Sequence, residues 1–195
     1  MINIKQELEV AKRASEIAAA LLIDNKDNIN KILSNEGRDV KLKADLESEK
    51  VIKDYLLANS NFPILAEESG ANQDLGNSFW VVDPLDGTSN YSRDFPMCCI
   101  SIALIHENEI TLGVIYDFNR GSLYEGSIDS KAKLNDADIF VSSIDDKSKA
   151  TLATGLPAKG NFNKESMSEL SHELVSWKKV RMIGSAAMSL SLIHI

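Results

Sequence analysis

Ser78-Phe79-Trp80-Val81-Val82-Asp83-Pro84-Leu85-Asp86-Gly87-Thr88-Ser89-Asn90-Tyr91 is the stretch on which the reading of this chain turns. Phe79, Trp80, Val81 and Val82 form a short apolar, aromatic and β-branched run, the pattern of a buried strand. The strand is expected to end at Asp83, because Pro84 cannot continue a central strand and Asp86-Gly87 is a turn signal. Thr88 or Ser89 is then placed to cap a short helix that runs to Ser92. Asp83 and Asp86 thus leave a strand end three residues apart, across a tight turn and beside a helix N-terminus. Hard divalent cations bind clustered carboxylate and carbonyl oxygens. Phosphate binds backbone N–H groups at the positive end of a helix. The stretch offers both.

Taken alone, Asp-Pro-x-Asp-Gly is more often a surface turn than a metal site. Two upstream features change the balance. Pro63-Ile64-Leu65-Ala66 is another short buried run, and it ends in Glu67-Glu68-Ser69-Gly70. Further upstream, Asp45 lies in Lys43-Ala44-Asp45-Leu46, where helix N-capping would by itself account for it. Strand-end carboxylates repeated along a chain are what a multi-metal phosphoryl-transfer site requires.

In this ordered combination the chain resembles the inositol monophosphatase family, which is Mg²⁺-dependent and lithium-sensitive. The likeness rests on Glu67-Glu68 and Asp83-Pro84-Leu85-Asp86-Gly87-Thr88, and extends through Asn90-Tyr91, Phe95-Pro96 and Ser101-Ile102-Ala103-Leu104. It returns at Gly113-Val114-Ile115-Tyr116-Asp117 and at Arg181-Met182-Ile183-Gly184-Ser185-Ala186-Ala187. Val40-Lys41-Leu42-Lys43-Ala44-Asp45 resembles the family's Val-Thr-x-Ala-Asp, with Lys41 in place of the usual threonine. The family often carries a lysine in the loop before this point, and Ser34-Asn35-Glu36-Gly37-Arg38-Asp39 has none there.

The chain has 195 residues, enough for one domain with a core or for one domain and part of another. Its 44% hydrophobic and 26% charged residues are those of a globular protein. A net charge of −8 argues against non-specific nucleic-acid or anionic-membrane binding. An acidic protein that acts on a phosphate needs cations to bridge the two. Cys98 and Cys99 are adjacent, so an ordinary disulfide between them is not expected; buried, reduced thiols are. His106, His172 and His194 show no ligand spacing. Residues 1–22 carry charge throughout and no apolar run reaches membrane length, so the expected compartment is the cytoplasm.

Along the chain, Ile4, Leu8, Ala11, Ser15 or Ala18, and Leu22 form a helical stripe over residues 3–24. Residues 25–39 are polar and read as a mobile loop. Asp45 is expected to open a second helix, with Leu46, Val51 or Ile52, Tyr55 and Leu56 as its stripe. Residues 97–106, 110–116 and 122–125 read as strands joined by turns at Glu107-Asn108-Glu109 and Asn119-Arg120-Gly121, an antiparallel meander. Residues 127–137 are polar, and Lys131-Ala132-Lys133-Leu134-Asn135-Asp136 loosely resembles the family's Gly-Ala-x-x-Asn-Gly turn. Residues 139–142, 151–154 and 179–183 read as strands, 164–176 as a helix, and Gly184-Ser185 as the start of another. The expectation is an α+β fold, a layered αβαβα sandwich of the inositol monophosphatase and sugar phosphatase type. Residues 1–126 would form a metal-binding domain of two helices on an antiparallel sheet, and 127–195 a partial second α/β domain. The sequence stops inside an apolar helix, whereas the family continues to a Trp-Asp motif that supplies a further metal ligand. A C-terminally truncated chain, with its second domain incomplete, is therefore expected.

The resemblance also implies a site. Glu67, Asp83 and the Leu85 carbonyl would hold a first Mg²⁺, with Asp83 bridging to a second that Asp86 also holds. Glu68 would stand in the outer shell of a third, since complete members use two to three ions. Thr88, oriented by Asp45, would position the attacking water, and Asp45, Thr88 and Glu67 form the catalytic set. Backbone N–H groups of Gly87 and Thr88 would hold phosphate oxygens, with Glu67, Leu85 and Asp86 sharing the substrate contact. Gly184, Ser185 and Ala186 would meet the alcohol part. The implied activity is hydrolysis of a small phosphorylated alcohol, most simply inositol monophosphate. The alternatives are 3′-phosphoadenosine 5′-phosphate or fructose 1,6-bisphosphate as substrate, or a non-catalytic metal-binding or interaction protein on the same fold. The partner expected is the small phosphorylated substrate, with a homodimer left open and neither nucleic acid nor membrane involved.

Overall fold

Asn3 starts the first helix, α1 (Ile4–Asp24), by accepting the Gln6 N–H at 3.2 Å on its side-chain oxygen. The computed structural model describes residues 2–36, 39–156, 160 and 162–195. In α1 the expected stripe is buried at Leu8, Ala11, Ser15, Ala18 and Leu22. The polar stretch after it is not a loop. One turn of helix, α2 (Lys26–Ile29), leads into an antiparallel ribbon of β1 (Ile32–Glu36) and β2 (Asp39–Leu42). Its polar composition hid a strand pair whose backbone groups satisfy one another. Gly37 and Arg38, in the middle of the expected loop, lie outside the described residues.

The second helix, α3 (Lys43–Asn59), opens at Leu42, so Asp45 is not the N-cap residue but sits in the first turn, where its side chain accepts the N-cap N–H. Leu46 is 41% exposed, and the buried face instead carries Asp45, Ser48, Glu49, Ile52 and Leu56. These positions lie on one side of a helix.

Eight strands then form one sheet: β3 (Ile64–Ala66), β4 (Gly70–Ala71), β5 (Phe79–Asp86), β6 (Cys99–His106), β7 (Glu109–Asp117), β8 (Ser122–Ser127), β9 (Ser130–Leu134) and β10 (Ala137–Asp138). A short helix, α4 (Thr88–Tyr91), separates β5 from β6. The strand order is β10-β9-β8-β7-β6-β5-β3-β4, with β3 and β5 parallel and the other pairs antiparallel. The meander is as expected from β6 to β8, and β9 and β10 continue the same sheet beyond residue 126.

Alternation along the strands decides where the core lies. Ile100, Ile102, Leu104, Leu112 and Val114 join Leu8, Leu22, Ile52 and Leu56 in one buried cluster, so both long helices cover the same face of the sheet. Each such side chain contributes roughly 1.5–3 kcal/mol by leaving water. Trp80, fully buried at the centre, donates its indole N–H to Ser60 Oγ at 3.0 Å. Cys98 and Cys99 are both buried free thiols.

The last part of the chain is a strand–helix–strand unit: β11 (Thr151–Thr154), α5 (Lys164–Val175) and β12 (Lys179–Met182), with the two strands parallel. The helix α6 (Ala186–Ser191) follows and packs against β5, β6 and β7. Residues 139–142 do not form the expected strand. Their apolar, β-branched character is real, but Ile139 and Ser142 make only single backbone hydrogen bonds, to Ala132 and Ile193, no ladder forms among the described residues, and Phe140 and Val141 remain exposed. Beside them, Ala103, Ile115, Tyr124 and Leu190 help line a cavity of about 360 Å³ on the other face of the sheet. Among the described residues no helix is long and apolar enough to cross a membrane.

Candidate active site

Register along β5 and β6 is regular from Phe79 opposite Ile105 to Asp83 opposite Ser101, then shifts and resumes with Asp86 opposite Cys99. The strand therefore does not end at Asp83. It bulges, and Pro84, which has no N–H to give, sits where the ladder is broken. The Asp83 carboxylate accepts the Leu85 N–H at 3.1 Å inside the bulge. Gly87 follows at φ +95° and forms the N-cap of α4, in place of the expected Thr88 or Ser89. A Cβ on Gly87 would lie 2.8 Å from the Met97 carbonyl, so both the left-handed backbone and the close approach require glycine.

The polar face of α3 grips this bulge. Ser48 Oγ donates to the Pro84 carbonyl at 2.9 Å. Thr88 Oγ1 lies 2.9 Å from Asp45 Oδ1 and 3.1 Å from the Leu85 carbonyl, with one proton to donate between them. The other Asp45 oxygen accepts the Leu42 N–H at 2.6 Å. Glu49 accepts the Glu68 N–H at 2.8 Å. Sequence reasoning missed Ser48 and Glu49. Their signal was the Asp45, Ser48, Glu49 spacing, which places three polar groups on the buried side of an otherwise apolar stripe.

Burial is the main force on the two key carboxyls. It pushes Asp83 up to about 8, aided by the charges of Glu67 and Asp86 and by a hydrogen bond with Glu67. A hydrogen bond between two carboxyl groups needs a proton held by one of them. Burial likewise raises Asp45 to about 6, against the opposing hydrogen bonds from Leu42 and Thr88.

The predicted alcohol-side residues meet the motif through Asp86. Ser185 Oγ donates to Asp86 Oδ2 at 2.7 Å, the Ala187 N–H to the same oxygen at 2.5 Å, and the Ala186 N–H to Oδ1 at 3.3 Å. Gly184, at φ +77°, lies against the Asn90 side chain. Asn90 Nδ2 donates to the carbonyls of Met97 at 2.7 Å and Ile183 at 2.8 Å, tying α4 to the segment before α6. Glu68, expected in an outer metal shell, is ion-paired with Lys41.

Among the described residues, no three carboxylate, imidazole or thiol groups converge as a ready cation cage. What converges is the hydrogen-bonded pair of exposed Glu67 and half-buried Asp83, with Asp86 near enough for its charge to act on Asp83. A divalent cation can replace the proton between two hydrogen-bonded carboxyl groups and relieve their repulsion, so this donor set fits Mg²⁺. Three donors leave Asp86 about one of its roughly four acceptor positions, chiefly on Oδ1.

The inositol monophosphatase family matches residues 3–194. A protein named Nus factor SuhB from Xylella fastidiosa is 33% identical over 97% of this chain and 70% of its own length. An inositol-1-monophosphatase from Synechocystis is 34% identical over 78% of this chain and 54% of its own length. Among solved structures, the extragenic suppressor protein SuhB of Bartonella henselae superposes with a TM-score of 0.85 at 27% identity, covering 96% of this chain and 74% of that one. Inositol monophosphatase from Anabaena gives 0.81 at 30% identity, covering 98% and 72%. The α+β fold is therefore that of this group. The chain spans 70% of the length of the Xylella relative and 74% and 72% of the two solved structures.

Proposed function

The chain belongs to the inositol monophosphatase family, and from that premise we propose that it is a Mg²⁺-dependent phosphomonoesterase. Its substrate in this reading is a small phosphorylated alcohol in the cytoplasm, most simply an inositol monophosphate. The observation that carries the reading is the 2.9 Å contact of Thr88 with Asp45, set beside the hydrogen-bonded Glu67–Asp83 pair.

Glu67, Asp83, Asp86 and the Leu85 carbonyl would hold the cations. Bound Mg²⁺ supplies the positive charge that admits a phosphate to an acidic site and makes the attacking water more acidic. Thr88 orients that water and relays its proton to Asp45, whose raised affinity for protons near pH 6 suits a base. Amides that open a helix lack partners within it, so the N–H groups of Gly87 and Thr88 are suited to phosphate oxygens. Gly184, Ser185 and Ala186 would bound the alcohol side. The division into residues 1–126, which carry the carboxylates, and 127–195, which carry this alcohol contact, belongs to the same proposal.

A second reading has its own support, because several relatives carry the name Nus factor SuhB. In it the fold serves as an interaction module and turnover is incidental. Phosphate release from inositol monophosphate, 3′-phosphoadenosine 5′-phosphate and fructose 1,6-bisphosphate, with and without Mg²⁺, separates the two. Mg²⁺-dependent release supports the phosphatase, and background release from all three would overturn it.

A further inference from the structure

Among the described residues, two lysines pair with the carboxylates between α3 and the motif. Lys53 lies on the outer side, 3.6 Å from Glu49 and 2.6 Å from Ser69 Oγ. Lys41 is placed differently. It stands on β2, two residues before α3 begins, and its ammonium meets the carboxylate of Glu68, whose side chain is only 12% exposed. The negative charges of Asp45 and Glu49 also act on Lys41. Glu68 in turn acts on Asp45, the partner of Thr88. The ammonium is thus ion-paired with a carboxylate whose charge acts on Asp45, the holder of the catalytic hydroxyl. Glu68 is fixed from its other end as well, since its N–H is held by Glu49.

An ammonium is a compact point charge with three donors, and it satisfies a carboxylate much as a metal ion does. A divalent ion arriving at Glu68 would have to displace Lys41 or face its repulsion at close range.

We propose that Lys41 is the resident cation of Glu68, so that in this chain Glu68 takes no divalent ion and the positive charge at that edge of the phosphate site is built in. This rests on the phosphatase reading of the Glu67–Asp83 pair. It predicts a lower metal demand than the acidic side chains alone would suggest, because one carboxylate is already neutralised.

The number of bound ions can be counted without any turnover by titrating Mn²⁺ and following the electron paramagnetic resonance signal of the free ion. Wild type and Lys41→Arg should bind the same number. Lys41→Gln should gain one weak ion, and adding Glu68→Gln to it should remove that ion again. Glu68→Gln alone should leave the wild-type count unchanged. A Lys41→Gln count equal to wild type, or a count lowered by Glu68→Gln alone, would overturn the proposal. Lys41 is partly exposed, and Glu68→Gln preserves shape, so the second arm reads the proposal even if the first variant folds poorly. Failure of the underlying reading looks different: wild type would bind no Mn²⁺, or Asp83→Asn would leave the count untouched. In that case the Lys41→Gln arm still registers any ion gained at Glu68.

Discussion

The Ser185 hydroxyl donates to Asp86 at 2.7 Å across 99 residues of chain. The same carboxylate accepts the first amides of α6, from Ala186 and Ala187. Asp86 therefore acts as the anionic partner of a helix N-terminus, where negative charge is favoured. It joins the end of β5 to the last helix and is also a proposed metal ligand, so metal binding and the seating of α6 share one side chain.

Ser185 has two contacts to lose. Its Oγ donates to Asp86 and accepts the Met188 N–H at 3.2 Å as the cap of α6. Ser185→Ala should cost about 0.5–2 kcal/mol, the usual range for a lost N-cap. Ser185→Thr should recover most of it. Urea unfolding monitored by circular dichroism gives the number, and equal midpoints for wild type and Ser185→Ala would dismiss the cap.

Asp83 binds its proton more tightly folded, at about 8, than unfolded, near 3.8. Its contribution to stability is therefore full below pH 4 and is lost as pH rises through about 8. Asp45, raised to about 6, has the same sign and loses its share earlier. Without Mg²⁺, stability from these groups should decline between pH 4 and 8, and added Mg²⁺ should raise the melting temperature more at pH 8 than at pH 6. Asp83→Asn should abolish turnover, keep the Mg²⁺-free stability and flatten the upper part of that decline. Near-wild-type turnover by Asp83→Asn at saturating Mg²⁺ would refute its role.

Thr88 tests the proton path. Thr88→Val keeps the shape and removes the hydroxyl that reaches Asp45. Turnover should fall by roughly 10²–10⁴, the range for general acid–base groups. Thr88→Ser should keep most of the activity. Loss of the same size in both variants would point to packing by the methyl group instead.

Gly87 should tolerate no side chain. The nearest obstacle is backbone, the Met97 carbonyl, so the neighbour cannot swing aside, and φ +95° adds strain. Gly87→Ala should destabilise the fold by more than about 1 kcal/mol. A melting temperature equal to wild type would show that the turn can relax.

Much of this protein was legible in its sequence because the signals are local. The apolar run at 79–82, the stripe of α1, the meander turns and the helix at 164–175 each arise from backbone geometry repeating over a few residues. The order of Glu67-Glu68, Asp83, Asp86 and Thr88 also sufficed to name the family. Other features depended on what lay opposite. Residues 139–142 had strand character but gained only single backbone hydrogen bonds, at Ile139 and Ser142, whereas residues 32–36, inside a stretch read as loop, found a partner in 39–42. Pro84 argued for a strand end, yet the ladder resumes beyond it because Asp86 pairs with Cys99.

The tertiary structure alone decided which charged groups meet. Residue type shows that Asp45, Ser48 and Glu49 share a helix face, but only burial of α3 against the sheet turns that face onto the motif. The pairing of Lys41 with Glu68 and of Asp86 with α6 likewise follows from how packed elements are placed. Hydrophobic burial is non-directional and fixes those placements; polar side chains then satisfy whichever partners it has brought within reach.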